Sequence, residues 1–403
     1  MMAQWSYITQ HASRQAEVWE YEQAAQNLLS GKGMIVRYLK TDYRALIHPM
    51  YPFFCAGIYR IFGISHTAVL FAQTVVFGMT VWLIYCIGKE SFGEKTALLA
   101  ALLVCFHPAL FVYTTRKLHT LIVDTFWFLL FLFSVLKMRK TPNIRKSVWG
   151  GVVLGGALLS RSTILLFGGI AAVWLSREWR LKAKRKLFLL ATLFSAAILV
   201  STPWLVRNYF LLKRVTPITT TFGLQLWTGY NPHATGTLLT PSGEPVLQKD
   251  REFIERIYTL DELGQNALFR SAALAYIRQH PASALRLFLK KLYYFWWFSP
   301  QSGLWYPSFW LTLYRFYYSA MLLFAGVGLW RERGLPVAPD ERSARILLFC
   351  FLSSLSLFQS FFFVEGRHRW AVEPVLLIFS AEGIRFLCGR VRTLCVGSAV
   401  KSA

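Results

Sequence analysis

The stretch VWGGVVLGGALLSRSTILLFGGIAAVWLS, residues 148 to 176, is apolar on both sides of a short polar break, Ser160-Arg161-Ser162. A helix rises about 1.5 Å per residue, and crossing about 30 Å of hydrocarbon takes about 20 residues. The whole stretch is too long for one crossing, and each half is too short for one. Two short helices that rise part of the way and return, with Arg161 at the turn, satisfy both limits. The roughly 13 residues before Arg161 climb only about 20 Å, which leaves the guanidinium below the outer headgroups. A charge at that depth is costly unless it is paired or faces water. Arg161 is therefore either half of a structural ion pair, with Asp124 in the outer half of its own span as the partner, or part of an anion site open to the outer leaflet.

Outward from this stretch the chain is built for lipid. Of its 403 residues 55% are hydrophobic and 16% aromatic, and only 16% are charged, with a mean hydropathy of +0.40. Soluble domains carry about a quarter charged residues. Apolar runs long enough to span occur at roughly 66 to 88, 96 to 115, 118 to 137, 187 to 206, 308 to 330, 345 to 364 and 371 to 388. The predicted fold class is an all-α polytopic membrane protein. The net charge of +24 would suit a nucleic-acid binder, but the basic residues sit in short segments between apolar runs. These are KMRKTPNIRK (137 to 146), SREWRLKAKRK (176 to 186), RERGLPVAPDERSAR (331 to 345) and GRVR (389 to 392). That is the pattern left by positive-inside insertion, and it argues against nucleic acid as a partner. Six cysteines without a CxxC spacing indicate neither a disulfide frame nor a zinc site.

With the basic segments in the cytoplasm, the remaining ends face outward. The predicted organisation is a first extracytoplasmic loop with amphipathic helices (1 to 65), an N-terminal transmembrane bundle that includes the short pair at 148 to 176 (66 to 206), an extracytoplasmic segment (207 to 307), and C-terminal transmembrane helices with a cytoplasmic tail (308 to 403). Apolar spacing near 251 to 290, punctuated by Pro281, predicts two small helices on the outer surface, and YYFWWF (293 to 298) reads as an aromatic belt. An outward N-terminus needs translocating, and residues 1 to 25 hold no apolar run to do it. Either a helix precedes these residues or the short terminus crosses unaided, and the translocation argument favours the first.

The residues that could carry chemistry lie on the outward side. EGRHRW (365 to 370) places Arg367, His368 and Arg369 where insertion rules make positive charge sparse, and Arg forks suit phosphate oxygens bidentately. The plainer alternative is an interfacial cluster neutralised by Glu365 and Glu373. Arg116, Lys117 and His119 form a third, weaker cluster. Acids lie in AEVWEYEQAAQNLLSGKG (16 to 33), where Glu17, Glu20 and Tyr21 share a helical face at i, i+3, i+4. A solvated helix face is the plainer explanation of them, and Asp42 is an outside third acid. WTGYNPHATG (227 to 236) is a loop, because Pro232 lacks an amide proton and pushes Asn231 out of the α region. Its Trp227, Asn231 and His233 are either sugar contacts or parts of a merely structural turn. No Ser-His-Asp order, HExxH, Walker loop or GxGxxG after a strand is present, so nucleotide chemistry of the soluble type has no support.

Together these stretches resemble the polytopic glycosyltransferases of the GT-C fold, the broad group that includes the protein O-mannosyltransferases of glycosyltransferase family 39 and the aminoarabinose transferases of lipid A. The resemblance is carried by EYEQAAQNLLSGKG followed by HPMYPFFCAGIYRIFG (48 to 63), and by GGVVLGGALLSRSTILL (150 to 166). PWLVRNY (203 to 209) with PITTTFGLQLWTGYNPHATG (217 to 236), AYIRQHPASALRLFLKKLYYFW (275 to 296) and EGRHRWAVEPVLL (365 to 377) complete it, so that it covers nearly the whole chain from about residue 17. It implies a GT-C helical bundle with a small extracytoplasmic α-helical or irregular segment. It also implies transfer of a hexosyl or pentosyl group from a polyprenyl-phosphate donor to a lipid, glycan or protein acceptor, on the extracytoplasmic face of a bacterial-type cytoplasmic membrane. In that group an acid of the first outer loop, usually Asp, activates the acceptor and basic residues grip the donor phosphate. Glu17 stands four residues before Tyr21, where that Asp is expected, with Glu20 beside it. Arg161, Arg367 and Arg369 are the expected phosphate ligands, and His48, Tyr51, Trp227, Asn231 and His233 the expected substrate contacts. No metal-ligand set is expected and no cofactor is required, although the resemblance leaves a divalent metal open.

Two other classes share some of these features. A transporter or flippase for a polyprenyl-linked lipid would also need cations near lipid phosphate, and a catalytically degenerate scaffold would keep the fold without the acid. Transporters commonly show paired halves and helices broken at the midplane. This chain has no internal repeat, and it devotes about a hundred residues to one outer segment, which suits an enzyme better.

Overall fold

The structure, a computed structural model, describes residues 20–302, 308–331 and 338–401. The chain enters through helix α1 (Glu20–Leu29), a hairpin of β1 (Val36–Tyr38) and β2 (Thr41–Tyr43), and helix α2 (Met50–Phe62). The hairpin adds a short strand pair to the first loop, where amphipathic helices are expected from the sequence. It pairs Val36 with Tyr43 and Tyr38 with Thr41, around a two-residue turn in which Leu39 and Lys40 both adopt positive φ (46° and 60°).

The apolar runs then form α3 (His66–Phe92), α4 (Glu94–Cys105), α5 (Pro108–Arg116), α6 (Leu121–Lys140), α7 (Ile144–Ser160), α8 (Ile164–Glu178) and α9 (Ala183–Leu212). Gly93, with φ of 83°, lets α4 fold straight back along α3. The run at 96 to 115, expected as one span, is instead two helices bent by 53°. Pro108 cannot continue α4, and the ring of His107 caps α5 by accepting from Leu110 N at 3.1 Å. With 17 and 15 residues, α7 and α8 are about 25 and 22 Å long, each less than a crossing. Further on come α14 (Ser308–Arg331), α15 (Pro339–Ser360), the single turn α16 (Gly366–Trp370) and α17 (Glu373–Lys401). Among the described residues α3, α6, α9 and α15 are each long and apolar enough to cross a membrane, and the bent pair α4 and α5 makes a fifth.

In hydrocarbon, helices gain little from burying apolar surface, so close van der Waals packing through small residues holds them together. The glycines of GGVVLGG serve this purpose. A Cβ on Gly151 would lie 2.2 Å from the Leu193 carbonyl oxygen of α9, one on Gly155 2.8 Å from that of Ala197, and one on Gly156 2.5 Å from the Trp127 ring of α6. Helix α7 is thus wedged between α6, which runs opposite to it, and α9, which runs parallel. A second parallel pair, α14 and α17, meets at Gly383, where a Cβ would be 1.9 Å from Phe324 O.

Polar contacts sort the two ends of the bundle. At one end Glu90 of α3 pairs with Lys137 (2.6 Å) and Lys140 of α6, Trp179 Nε1 donates to Met138 O, and Arg345 Nε donates to Ser91 O. The basic segments at 137 to 146 and 176 to 186 gather there. At the other end lie α1, the hairpin, the Arg161 turn, α16 and a small helical unit of α10 (Phe222–Gly229), α11 (Arg251–Tyr258), α12 (Glu262–Gln279) and α13 (Pro281–Trp296). Where two helices were expected, three form between 251 and 296. Asp250 caps α11 from Phe253 N, Asp261 caps α12 from Gly264 N, and Pro281 starts α13. This unit has its own core around Trp227, Ile257, Phe269 and Ala273. It docks on the hairpin through buried Glu262, whose carboxylate accepts from Arg44 N (2.8 Å), Ala45 N (2.9 Å) and Thr220 Oγ1.

Candidate functional site

The chemistry-bearing residues collect where α1, the α5–α6 corner, the Arg161 turn and α16 meet. Asp124, one turn into α6, is fully buried and accepts from Thr120 Oγ1 at 2.8 Å and Ser160 Oγ at 2.5 Å. Its Oδ2 has no hydrogen-bond partner and faces Arg161 Nη1 at 3.5 Å. The ion pair that is one of the two readings of the sequence is therefore present, but loose, and the Arg161 side chain keeps 20% of its surface. His48 fixes the turn: its Nε2 accepts from Ser162 N at 3.2 Å and lies 2.9 Å from Ser162 Oγ. Burial, reinforced by the Arg161 charge, pushes the His48 pKa down to about 3.

Arg367 approaches from α16. It pairs with Glu365 at 2.6 Å, with the two side chains 34% and 25% exposed. His368, the next residue, is buried and accepts from Glu365 N through Nδ1 at 3.1 Å. His119, at the α5–α6 corner, accepts from Leu121 N through its own Nδ1 at 3.0 Å. Desolvation, followed by the Arg161 and Arg367 charges, holds both imidazoles well below their ordinary pKa. Each of the three histidines accepts a backbone N–H, which needs an unprotonated ring nitrogen, so geometry and electrostatics agree on neutral rings. Lys117 lies over the Tyr113 ring at 5.0 Å, and burial and then Arg367 lower its pKa. The floor beneath is set by Gln73 of α3, fully buried, which donates to Thr114 O and Lys117 O and accepts from Tyr51 OH at 2.5 Å.

The acids of α1 divide. Glu22 is locked: His66 Nε2 lies 2.5 Å from its carboxylate, Tyr59 OH donates at 3.2 Å and Gln26 Nε2 at 3.3 Å. Glu20 is solvent-accessible but surrounded by protein, so desolvation raises its carboxyl above the ordinary range while Arg367 acts the other way. Between Glu20 and the corner, the Tyr21 ring meets Tyr51 at 5.3 Å and His119 at 5.9 Å, both edge-on. Glu17 lies outside the described residues. Asp42 is on the hairpin, paired with Arg37 at 2.9 Å.

The other candidates sit elsewhere. Arg369 is 2% exposed, and its guanidinium donates to Glu373 (2.6 Å), Tyr314 OH (2.7 Å) and Phe295 O (3.1 Å) while covering the Tyr318 ring at 4.0 Å. Glu373 in turn holds His107 and Tyr314. Tyr51, by contrast, belongs to the floor of the corner, buried beneath Tyr21 with its hydroxyl on Gln73. Trp227 stacks on Phe253 at 5.2 Å inside the outer unit, and Asn231 is buried with its side chain bonded to Trp227 O and His233 N. His233 is exposed beside it. The residues sequence reasoning missed, Gln73 and Lys291, each interrupt an apolar stripe, which was the available signal. Among the described residues no three His, Cys, Asp or Glu side chains come together so as to hold a metal ion, and no step below uses one.

Residues 47–206 match the family described as dolichyl-phosphate-mannose-protein mannosyltransferase. Among solved structures, the chain is similar to the archaeal oligosaccharyltransferase AglB from Archaeoglobus fulgidus in complex with an inhibitory peptide and a dolichol-phosphate. The identity is 14% over 95% of this chain and 47% of that one, with a TM-score of 0.52. For the Archaeoglobus fulgidus oligosaccharyltransferase in complex with Zn and sulfate the identity is 13%, over 96% and 47% of the two chains, with a TM-score of 0.57. The chain thus spans about half the length of the oligosaccharyltransferase it matches. No curated protein matches it in sequence. At these identities the likeness is one of fold: the chain has the GT-C architecture of membrane glycosyltransferases, as its sequence motifs imply.

Proposed function

We propose that this chain transfers a sugar from a polyprenyl-phosphate donor to an acceptor hydroxyl or amine at the extracytoplasmic face of its membrane. One observation carries the proposal: the Arg161 turn and α16, some two hundred residues apart in sequence, converge on the α5–α6 corner, where Arg161 faces Asp124 at 3.5 Å, Trp370 of α16 and His119 each meet the Tyr113 ring at 5.0 Å, and Tyr21, next to Glu20, meets His119 at 5.9 Å. This is a cationic corner at the end of a membrane bundle, lined by neutral imidazoles. A lipid-linked phosphate needs such a corner at headgroup depth.

As the bond between the anomeric carbon and the phosphate oxygen breaks, its electron pair goes to the phosphate, whose charge rises. Guanidinium groups already in place stabilise that charge more in the transition state than in the ground state. The acceptor oxygen or nitrogen forms the new bond to the anomeric carbon and gives up its proton to a carboxylate. Glu20 suits that role because desolvation moves its pKa toward the working pH. Glu17, which the family resemblance favours, is the second candidate. Asp124, His48 and Ser160 hold Arg161 in position. The outward sidedness rests on the basic segments at the opposite end of the bundle. The test is to incubate membranes containing the protein with a panel of labelled polyprenyl-phosphate hexoses and pentoses. Transfer from one of them to a lipid, glycan or protein product supports the proposal, and no transfer from any sinks it.

A further inference from the structure

WTGYNPHATG has no side chain at the cationic corner, yet it is wrapped around one residue. On α13 the positions facing the outer unit and bundle include Ala284, Lys291 and Phe295, all buried. Lys291 is completely so; its Nζ donates to Gly229 O at 3.2 Å and lies 3.4 Å from the centre of the Tyr230 ring. Gly236 closes on the stem, for a Cβ there would be 3.2 Å from Lys291 Cγ. The same loop grips the segment leading into α16. A Cβ on Gly229 would be 2.5 Å from Phe362 O, and Val364 N donates to Gly236 O at 3.0 Å. Arg367 follows three residues later.

We propose that Lys291 is a positioning residue, whose amine clamps the 229–236 loop onto residues 362–364 and thereby sets Arg367 at the cationic corner. The last link alone rests on the donor-phosphate reading of Arg367. The groups facing Lys291 bring it no opposite charge. The loop presents the Tyr230 phenol and the Gly229 carbonyl, α13 presents Tyr294 with Lys290 over its ring, and the 362–364 segment presents the Phe362 backbone next to Gly229. Desolvation accordingly lowers the Lys291 pKa to about 6. Opening the clamp restores a lysine with an ordinary pKa of about 10.4, so opening takes up a proton between those two values. The clamp is tightest at high pH and loosens as pH falls toward 6.

Hydrogen exchange read by mass spectrometry on the full chain in detergent tests this without any ligand. With intrinsic rates corrected, protection of amides in 229–236 and 362–366 should fall together from pH 9 to pH 6, by about tenfold or more in total. Lys291→Met should abolish that pH dependence and Lys290→Met should keep it. Protection that ignores pH in the wild type, that still responds in Lys291→Met, or that changes in only one segment would overturn the clamp. Should Lys291→Met fail to accumulate, the wild-type and Lys290→Met series decide. A second arm measures binding of undecaprenyl phosphate. Lys291→Met should weaken it about threefold or more, with little further loss when Arg367→Ala is added, because coupled positions are not additive. Unchanged binding overturns the link to Arg367, whereas a wild type that binds no undecaprenyl phosphate refutes the donor reading and leaves exchange to judge the clamp.

Discussion

Arg367 and Arg369 are two residues apart on one short helix, and they are opposites. The guanidinium of Arg369 is buried, and a carboxylate, a phenol and two backbone carbonyls take four of its five N–H donors. Arg367 is a third exposed beside Glu365, and Arg161 meets Asp124 only at 3.5 Å. The acids of α1 repeat the contrast, with Glu22 held by His66 and Tyr59 while Glu20 stays accessible beside Arg367. Residue type and end of the bundle are the same within each pair. What separates scaffold from candidate chemistry is exposure: Arg369 and Glu22 are buried, whereas Arg367 and Glu20 reach the surface.

The acids offer the largest expected effect. A carboxylate acting as general base contributes about 10²- to 10⁴-fold, so Glu20→Gln should lower single-turnover transfer by that factor while donor binding and stability hold. Glu22→Gln should instead appear as a loss of stability with transfer per folded molecule retained. Glu17→Gln belongs in the same assay: a collapse there with full activity in Glu20→Gln moves the base three residues earlier in the chain and breaks the α1 half of the contrast.

Next come the arginines. Arg369→Ala leaves Glu373 buried without its guanidinium, a change that costs about 3 to 5 kcal/mol, seen as a lower unfolding temperature in detergent and less protein in the membrane. A normally stable but inactive Arg369→Ala would make Arg369 a ligand and overturn the comparison. Arg161→Ala and Arg367→Ala should do the reverse, keeping the fold and slowing transfer about 10- to 100-fold, as expected for a charge-assisted contact of about 1.5 to 3 kcal/mol. If both fail to accumulate while the surviving protein is fully active, they are structural pairs like Arg369.

The parts legible in sequence were those that break a local rule. Arg161 stands inside an apolar run, and EGRHRW adds positive charge at the end of the bundle opposite the basic segments, so charge against hydropathy exposes both. The bundle was legible for the same reason, whereas the break before Pro108 was passed over because flanking residues are as apolar as a span. The hairpin was invisible: its turn is Leu39-Lys40, both at positive φ, where the usual signal is Asn-Gly. Docking on the outer unit, including Lys40 over the Tyr258 ring at 4.3 Å and Thr41 Oγ1 on Leu260 O, holds it in place of local propensity. Partners were the hardest to see. His48 finds Ser162 across 114 positions, and nothing in EGRHRW says that Arg369 turns inward to Glu373 while Arg367 turns out.

The smallest effect concerns the neutral rings around the two accessible arginines. His48, His119 and His368 have folded pKa values below the ordinary 6.5, and each accepts a backbone N–H that protonation would sever. Their unfolded forms therefore bind more protons between about pH 6.5 and the lower folded values, so they stabilise the fold above about pH 6.5 and that stability is lost as pH falls. His48→Gln should reduce the proton uptake on unfolding by about one near pH 5, flattening the stability curve there by about 1.4 kcal/mol per pH unit. Because His48 grips only the Ser162 side of the turn, transfer at neutral pH should drop far less in His48→Gln than in Arg161→Ala. A pH–stability curve unchanged by the substitution would mean that His48 takes up its proton in the fold as readily as in the unfolded chain, and near pH 5 the corner would then hold a third cation rather than a neutral wall between two arginines.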